Sequence, residues 1–273
     1  MSSLRVRRIP WDVALLWWLT ACAQVPSGMI FIPAGTFTMG SDQTDPEQQA
    51  LEYGIIKPWF ADEHPAHPVT LSAYYLDRYE ATNAEYQVFV TATRRAAPPE
   101  WTNGRYPIGR ARYPVVSVTW TDADAYCRWA GKRLPTEAEW ERAARGTEGR
   151  AYPWGDTFEL ARANVGGAHG GTTVVGSYPS GKSPEGAYDL IGNVWEWVSD
   201  WYGPYAQHPD PSATDTKGKP VRVLRGASWS GIGHFSPDAQ LAILAHNARG
   251  SFRLYADPDG RLNDVGFRCA KDF

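Results

Sequence analysis

The groups with the greatest chemical reach in this 273-residue chain are three cysteines, a spaced pair of carboxylates and one serine- and histidine-bearing segment. Cys22 closes Leu19-Thr20-Ala21-Cys22, Cys127 lies mid-chain in Ala125-Tyr126-Cys127-Arg128-Trp129, and Cys269 lies near the end in Gly266-Phe267-Arg268-Cys269-Ala270. Thiolates are nucleophiles and soft-metal ligands, so where these three sit limits the chemistry open to the chain. Asp189 and Glu196 stand seven residues apart around a turn containing Gly192. Such oxygens suit calcium, which takes six to eight of them and accepts backbone carbonyls among its ligands. The competing reading has both carboxylates binding backbone amides around Trp195 and Trp197. Ser228, several aspartates and His234 hold the ingredients of a hydrolase, but no Gly-x-Ser-x-Gly elbow is present. His64-Pro65-Ala66-His67 offers two imidazoles on a proline-containing loop that would hold a metal poorly, which favours solvated surface histidines.

The segment before Cys22 sets the compartment. Arg5, Arg7 and Arg8 precede an apolar core from Val13 to Ala21. That core is far shorter than the roughly 20 residues needed to cross a bilayer and matches a secretory signal. Leu-Thr-Ala-Cys resembles the bacterial lipobox, so Cys22 is expected to be acylated and to begin the mature chain. The alternatives are an ordinary cleaved signal and an uncleaved N-terminal helix. Two or more acyl chains anchor durably. Ala23 stands where an inner-membrane retention aspartate would lie, which favours the outer membrane on its periplasmic side. The expected division is a signal over 1–21, a short linker over 22–28 and a single domain over 29–273.

Composition narrows the class of function. The net charge is −3 and no lysine or arginine run stands out, which removes the electrostatic footprint of nucleic-acid binding. Thirteen Trp and 14 Tyr supply large apolar faces, whereas 26 Gly and 21 Pro imply many turns and little long regular structure. Met29 to Gly40 reads as two short strands around Pro33-Ala34-Gly35, and Val69 to Leu76 as another strand. Gln43 to Pro65 reads as a polar surface excursion. Thr82-Asn-Ala-Glu85 and Thr136-Glu-Ala-Glu139 are capping boxes that start helices. Thr121-Asp122 is expected to open the helix carrying Cys127, with Gly131 stopping it, and Gly146 to end the helix from Thr136. Beyond residue 150 the chain reads as turns and short strands such as Val221 to Leu224. Trp59, Trp101, Tyr106 and Tyr113 lie in polar stretches, where they either form a binding face or cover an irregular core.

An ordered set of segments resembles the formylglycine-generating enzyme, or sulfatase-modifying factor, family. It runs through Phe31-Ile-Pro-Ala-Gly-Thr-Phe-Thr-Met-Gly40, Tyr79-Glu-Ala-Thr-Asn-Ala-Glu-Tyr86, Pro114-Val-Val-Ser-Val-Thr-Trp120 and Ala130-Gly-Lys-Arg-Leu-Pro-Thr-Glu-Ala-Glu-Trp-Glu141. It continues with Tyr152-Pro-Trp-Gly155, Asp189-Leu-Ile-Gly-Asn-Val-Trp-Glu-Trp197, Arg225-Gly-Ala-Ser-Trp229 and Gly266-Phe-Arg-Cys269. The resemblance implies an irregular α+β fold of the C-type-lectin-like kind with low regular secondary structure. It also implies a disulfide between Cys127 and Cys269, which an exported compartment permits. On the chain-entropy model that link would contribute roughly 4–5 kcal/mol.

What the resemblance implies for chemistry is divided. Formylglycine-generating enzymes oxidise a sulfatase cysteine with oxygen and a copper ion held by two cysteines that follow an Arg-Gly-Gly-Ser segment. Here Arg225-Gly-Ala-Ser-Trp-Ser-Gly-Ile-Gly-His-Phe-Ser236 has no cysteine, so copper and that activity are not expected. The family's calcium site implies the side chains of Asp189 and Glu196 and the carbonyls of Gly192 and Val194. A second family site would use Asn164 and the carbonyl of Val165, but its acidic partner is missing from Gly166 to Thr173, which makes it doubtful. The expectation is therefore a non-catalytic accessory or binding lipoprotein with structural calcium. It would scaffold a periplasmic or outer-membrane complex through loops 43–65, 99–113, 203–219 and 231–247, the last a remodelled loop at the former active site. The alternative is an enzyme of altered chemistry acting on an exported substrate through the old groove.

Overall fold

Three threonines start the main helices of the first half of the chain. In the computed structural model, which describes residues 25–55, 59–205, 218–233 and 235–273, all three close full capping boxes. Thr82 starts α2 (Asn83–Thr93) with Glu85, and Thr136 starts α4 (Glu137–Arg145) with Glu139. In each box the hydroxyl and the carboxylate satisfy amides that the first turn leaves unpaired. The helix carrying Cys127, α3 (Trp120–Trp129), begins two residues earlier than Thr121 leads one to expect. Its cap is Thr119, because Asp122 reaches back to the Thr119 amide and so places Thr121 inside the first turn. Gly146, at φ 66, ends α4 as expected.

The strands form three small sheets. β1 (Met29–Ile32) pairs antiparallel with β4 (Tyr74–Asp77), whose other edge takes β9 (Ala270–Asp272). β2 (Gly35–Met39) pairs with β3 (His67–Leu71) in a separate ribbon. The stretch read as one strand, Val69 to Leu76, is therefore two. Ser72-Ala73 breaks it, because its halves pair in different sheets. The largest sheet runs β7 (Leu254–Ala256), β6 (Arg222–Arg225), β5 (Trp195–Trp201), β8 (Val265–Phe267), with β5 and β8 parallel. The excursion over 43–65 holds the one-turn helix α1 (Gln49–Glu52) and returns to the interior at the buried Glu63.

One helix was not anticipated. Residues 237–247, read as loop, form α5 (Pro237–Asn247), capped by Ser236. Its signals were present in Ser236-Pro237-Asp238, a capping hydroxyl followed by proline at the first helical position and an acid in the first turn.

Two devices hold these elements together. The first is the bond between Cys127 on α3 and Cys269, both fully buried, with Cα atoms 5.6 Å apart and a sequence separation of 142. The second is the burial of nearly all of α4, charges included. Arg225 on β6 donates to Glu137 at 3.2 Å and to Glu141 at 2.7 Å. Arg253 donates to both oxygens of the same Glu137, at 2.7 and 2.8 Å. Arg145 pairs with Glu141 at 2.5 Å and also donates to the Gly40 carbonyl at 2.9 Å, which ties α4 to the end of β2. Charges removed from water in this way are tolerated only when their hydrogen bonds are met by partners.

Replacing Cys127 or Cys269 with serine is expected to lower stability by about 2–5 kcal/mol under oxidising conditions, read by thermal or urea melting. Reductant should abolish most of the difference from the parent. Glu137→Leu removes the carboxylate shared by Arg225 and Arg253 and should cost about 3–5 kcal/mol in urea unfolding. Asp124→Ala breaks the exposed pair with Arg128 instead and should cost at most about 1 kcal/mol.

Candidate functional site

The segment after β6 turns sharply at Gly226, where φ is 102 and a Cβ would stand 2.6 Å from the Leu190 carbonyl oxygen and 3.0 Å from the Trp140 ring. That turn follows the buried Arg225 and leads through the buried Ala227 and Ser228 to the partly exposed Trp229 and Ser230. Ser228 and Ser230 stand 2.8 Å apart, and each places its hydroxyl 2.9 Å from the same oxygen of Asp264, just before β8. One carboxylate oxygen thus orders both hydroxyls. The third member of the expected hydrolase set, His234, lies outside the described residues.

Trp229, between the two serines, forms a wall of a cleft of about 210 Å³. Trp101, Tyr113, Asn83, Arg110 and Asn263 complete its main surfaces. The guanidinium of Arg110 stacks over the Tyr113 ring at 4.2 Å, and Trp101 meets Tyr106 edge-on at 5.6 Å. Two of the four singled-out aromatics therefore line a concavity, and Tyr106 supports one of them. Trp59 lies elsewhere and stacks on His246 at 4.6 Å, so it serves the core. Asn83, Asp264 and Asn263 were not foreseen. The acidic residue immediately before Val265-Gly-Phe-Arg-Cys269 was the available signal for Asp264.

The turn from Asp189 to Glu196 is built on left-handed backbone. Asp189, Gly192 and Asn193 have φ of 55, 85 and 65, a cluster uncommon for residues with side chains. A Cβ on Gly192 would lie 2.7 Å from the Asn164 carbonyl oxygen, so only glycine fits there. Asp189 accepts the Gly176 amide at 2.6 Å on one oxygen. Glu196 accepts Arg268 at 2.6 and 2.7 Å and the Trp140 indole at 2.9 Å. Nearby Glu80 accepts from the Asn193 side chain at 2.7 Å and the Val194 amide at 3.2 Å.

Three buried carboxylates thus share one guanidinium. Burial raises Asp189 to about 6, and burial together with Asp189 and Glu196 pushes Glu80 well above the usual carboxylate range. Among the described residues, no three acidic, histidine or cysteine side chains converge on a point that could hold a metal. The carboxylates share a field without sharing a first shell. Any cation at this turn would therefore be held by Asp189 and by carbonyls such as those of Gly192 and Val194. Glu196 has about four lone-pair sites and spends three on Arg268 and Trp140, leaving one. These are the oxygens that would be open to a calcium ion. At the doubtful second position, Asn164 is buried and its side-chain oxygen has no hydrogen-bond partner, while its nitrogen donates to Asn193 at 3.2 Å. Val165 beside it is also buried.

His64 and His67 do not converge: His64 faces Asp42 at 3.4 Å, and His67 bonds the Pro65 carbonyl at 2.8 Å. The two cysteines of the domain are spent on their mutual bond, and no cysteine lies between Ser228 and Ser236. Cys22 lies outside the described residues.

Comparison with known proteins agrees with this architecture. Residues 19–273 match the sulfatase-modifying factor enzyme 1-like domain. The chain belongs to that family. It is 33% identical over 306 residues to the formylglycine-generating enzyme of Bos taurus, a match covering 90% of this chain and 75% of that one. It is 31% identical over 315 residues to the inactive C-alpha-formylglycine-generating enzyme 2 of Mus musculus, covering 94% and 91%. Among solved structures, PvdO from Pseudomonas aeruginosa superposes with a TM-score of 0.66 at 30% identity, covering 90% of this chain and 94% of that one. The fold is the irregular, C-type-lectin-like α+β fold of the family, and its members include both active and inactive proteins.

Proposed function

We propose that this protein is a non-catalytic binding lipoprotein that uses the family scaffold to hold a partner protein or membrane-associated complex on the periplasmic side of a bacterial membrane, the outer membrane being favoured. The observation that carries the reading is the fate of the thiols. Of three cysteines, one closes a lipobox-like Leu-Thr-Ala-Cys and two form the cross-link between positions 142 apart, so the domain keeps no pair of thiolates to select Cu(I). Ser228 and Ser230, fixed on Asp264, are hard-oxygen groups and do not replace them. A relative named as inactive supports the same direction. The cleft beneath Trp229 remains, with aromatic and amide walls suited to an extended partner segment.

A second reading, an enzyme of altered chemistry in the same cleft, draws on the Ser228–Ser230–Asp264 cluster at its rim. Mild-detergent purification separates the two. Under the binding reading the protein co-purifies with a defined partner, and Trp101→Ala with Trp229→Ala abolishes the association while Asp264→Asn leaves it intact. A protein that runs alone as a monomer would contradict it. So would turnover of an exported substrate that Asp264→Asn removes.

Calcium is part of the proposal as a structural ion, held by Asp189, Glu196 and the carbonyls of Gly192 and Val194. Its role would be to neutralise the carboxylate excess around Arg268. Asp189 is raised in the folded state, so without a cation its contribution is greatest below about pH 4 and falls as pH rises through about 6. Added calcium should therefore raise the melting temperature more at pH 7.5 than at pH 5, and chelation should reverse the gain. Asp189→Ala is expected to remove the calcium response. An identical melt with calcium and with chelator at pH 7.5 would exclude the ion.

A further inference from the structure

The strands nearest the predicted anchor carry an apolar face that the interior does not use. In β1, Met29, Ile30 and Ile32 are buried, and Phe31 alone is exposed, at 39%. Its cross-strand partner in β4 is Tyr75, and the partner of Tyr75 in β9 is Lys271, so all three share the outer face of the sheet. Phe273, two residues beyond Lys271, returns to the same face at 67% exposure. Phe31 and Phe273 meet at 5.3 Å, and each meets Tyr75, at 5.8 and 5.7 Å. Val25, the first described residue, is also an exposed apolar side chain. The charges around this patch are modest. Asp272 is held by Arg133 at 2.6 Å, whereas exposed Lys271 has no ion-pair partner among the described residues.

The tether makes this face meaningful. Val25 is only three positions after Cys22, a reach of about 10 Å even for fully extended chain. The chain then turns at once, with the Met29 amide bonding the Pro26 carbonyl at 3.1 Å, and enters β1. An acylated Cys22 thus pins the start of this sheet within a short distance of the lipid headgroups, beside two exposed phenylalanines and a free lysine.

We propose that the outer face of the β1–β4–β9 sheet, where Phe31, Lys271 and Phe273 are exposed over the buried Tyr75, rests on the bilayer surface and sets the orientation of the domain. Phenylalanines inserted at the headgroup level bury apolar area, and Lys271 adds attraction to anionic lipid. The inference rests on the lipoprotein reading, and the test separates the two. The full-length acylated protein is reconstituted in phosphatidylethanolamine–phosphatidylglycerol vesicles, with an environment-sensitive fluorophore on a single introduced thiol. Cys127 and Cys269 are bonded and Cys22 would be acylated, so Phe31→Cys or Phe273→Cys supplies the sole free thiol.

Labels at 31 and 273 should be quenched by nitroxide-bearing lipid several-fold more than a label at Leu241→Cys on α5, which is also exposed. Iodide in the water phase should show the reverse order. Circular dichroism checks each variant, and Phe273→Cys carries the test if Phe31→Cys fails to fold. Equal access of iodide to all three labels on a protein shown to be acylated by mass would overturn the membrane face alone. Shielding from both quenchers would also overturn it, because a protein partner or second copy would then occupy the patch. Absence of acyl mass on Cys22 would remove the tether and the proposal with it.

Discussion

Burying α4 with its charges intact is the constraint on which the rest of the molecule depends. Glu137, Glu139, Glu141, Arg142 and Arg145 all lie inside. A helix with so many charged residues would normally face water. It can pass through the interior because Arg225, Arg253 and Gly40, together with Arg133 on Glu139 and Glu185 on Arg142, meet those carboxylates and guanidiniums. Removing any one partner strands a charge in a medium that cannot solvate it. The irregular C-terminal half is therefore ordered largely by specific arginines reaching α4 and much less by long regular elements. Arg249 on Glu63 and Arg268 on Glu196 repeat the device at two other points.

Under the proposed non-catalytic reading, this construction would let a family scaffold outlast its chemistry. The residue before the Gly226 turn, Arg225, answers to α4, while the hydroxyls beyond the turn are held by Asp264. The segment from Gly231 onward is then free to change, and here it holds a capped helix, α5. Thiols can be lost from such a segment without disturbing the core. The cleft beside Trp229 takes its walls from α2 and the 100–116 segment and, among the described residues, none from 231–247.

Much of this was legible in the residues themselves. The capping boxes at Thr82 and Thr136, the stop at Gly146 and the strands around Pro33-Ala34-Gly35 follow from local chemistry that the interior does not overrule. The errors were also local in origin. Thr119 and Thr121 both precede Asp122 plausibly, and only the direction of the Asp122 side chain selects Thr119. The break at Ser72-Ala73 has no strong turn signal, so one apolar run concealed two strands that belong to different sheets. The cap at Ser236 was readable but was outweighed by the expectation of a remodelled loop.

The sequence by itself determined the family, the cysteine inventory and the glycine-bearing turns, because these depend on residue type and on neighbours a few positions away. Tertiary structure alone decided which charge meets which. Nothing in the chain shows that Arg268 would occupy Glu196, that Glu80 would join their field, or that Asp264 would hold both Ser228 and Ser230. The hydrogen-bonded pairs among them span from 34 to 72 residues and arise only where packing excludes water, which makes each unmet polar group costly enough to dictate its partner.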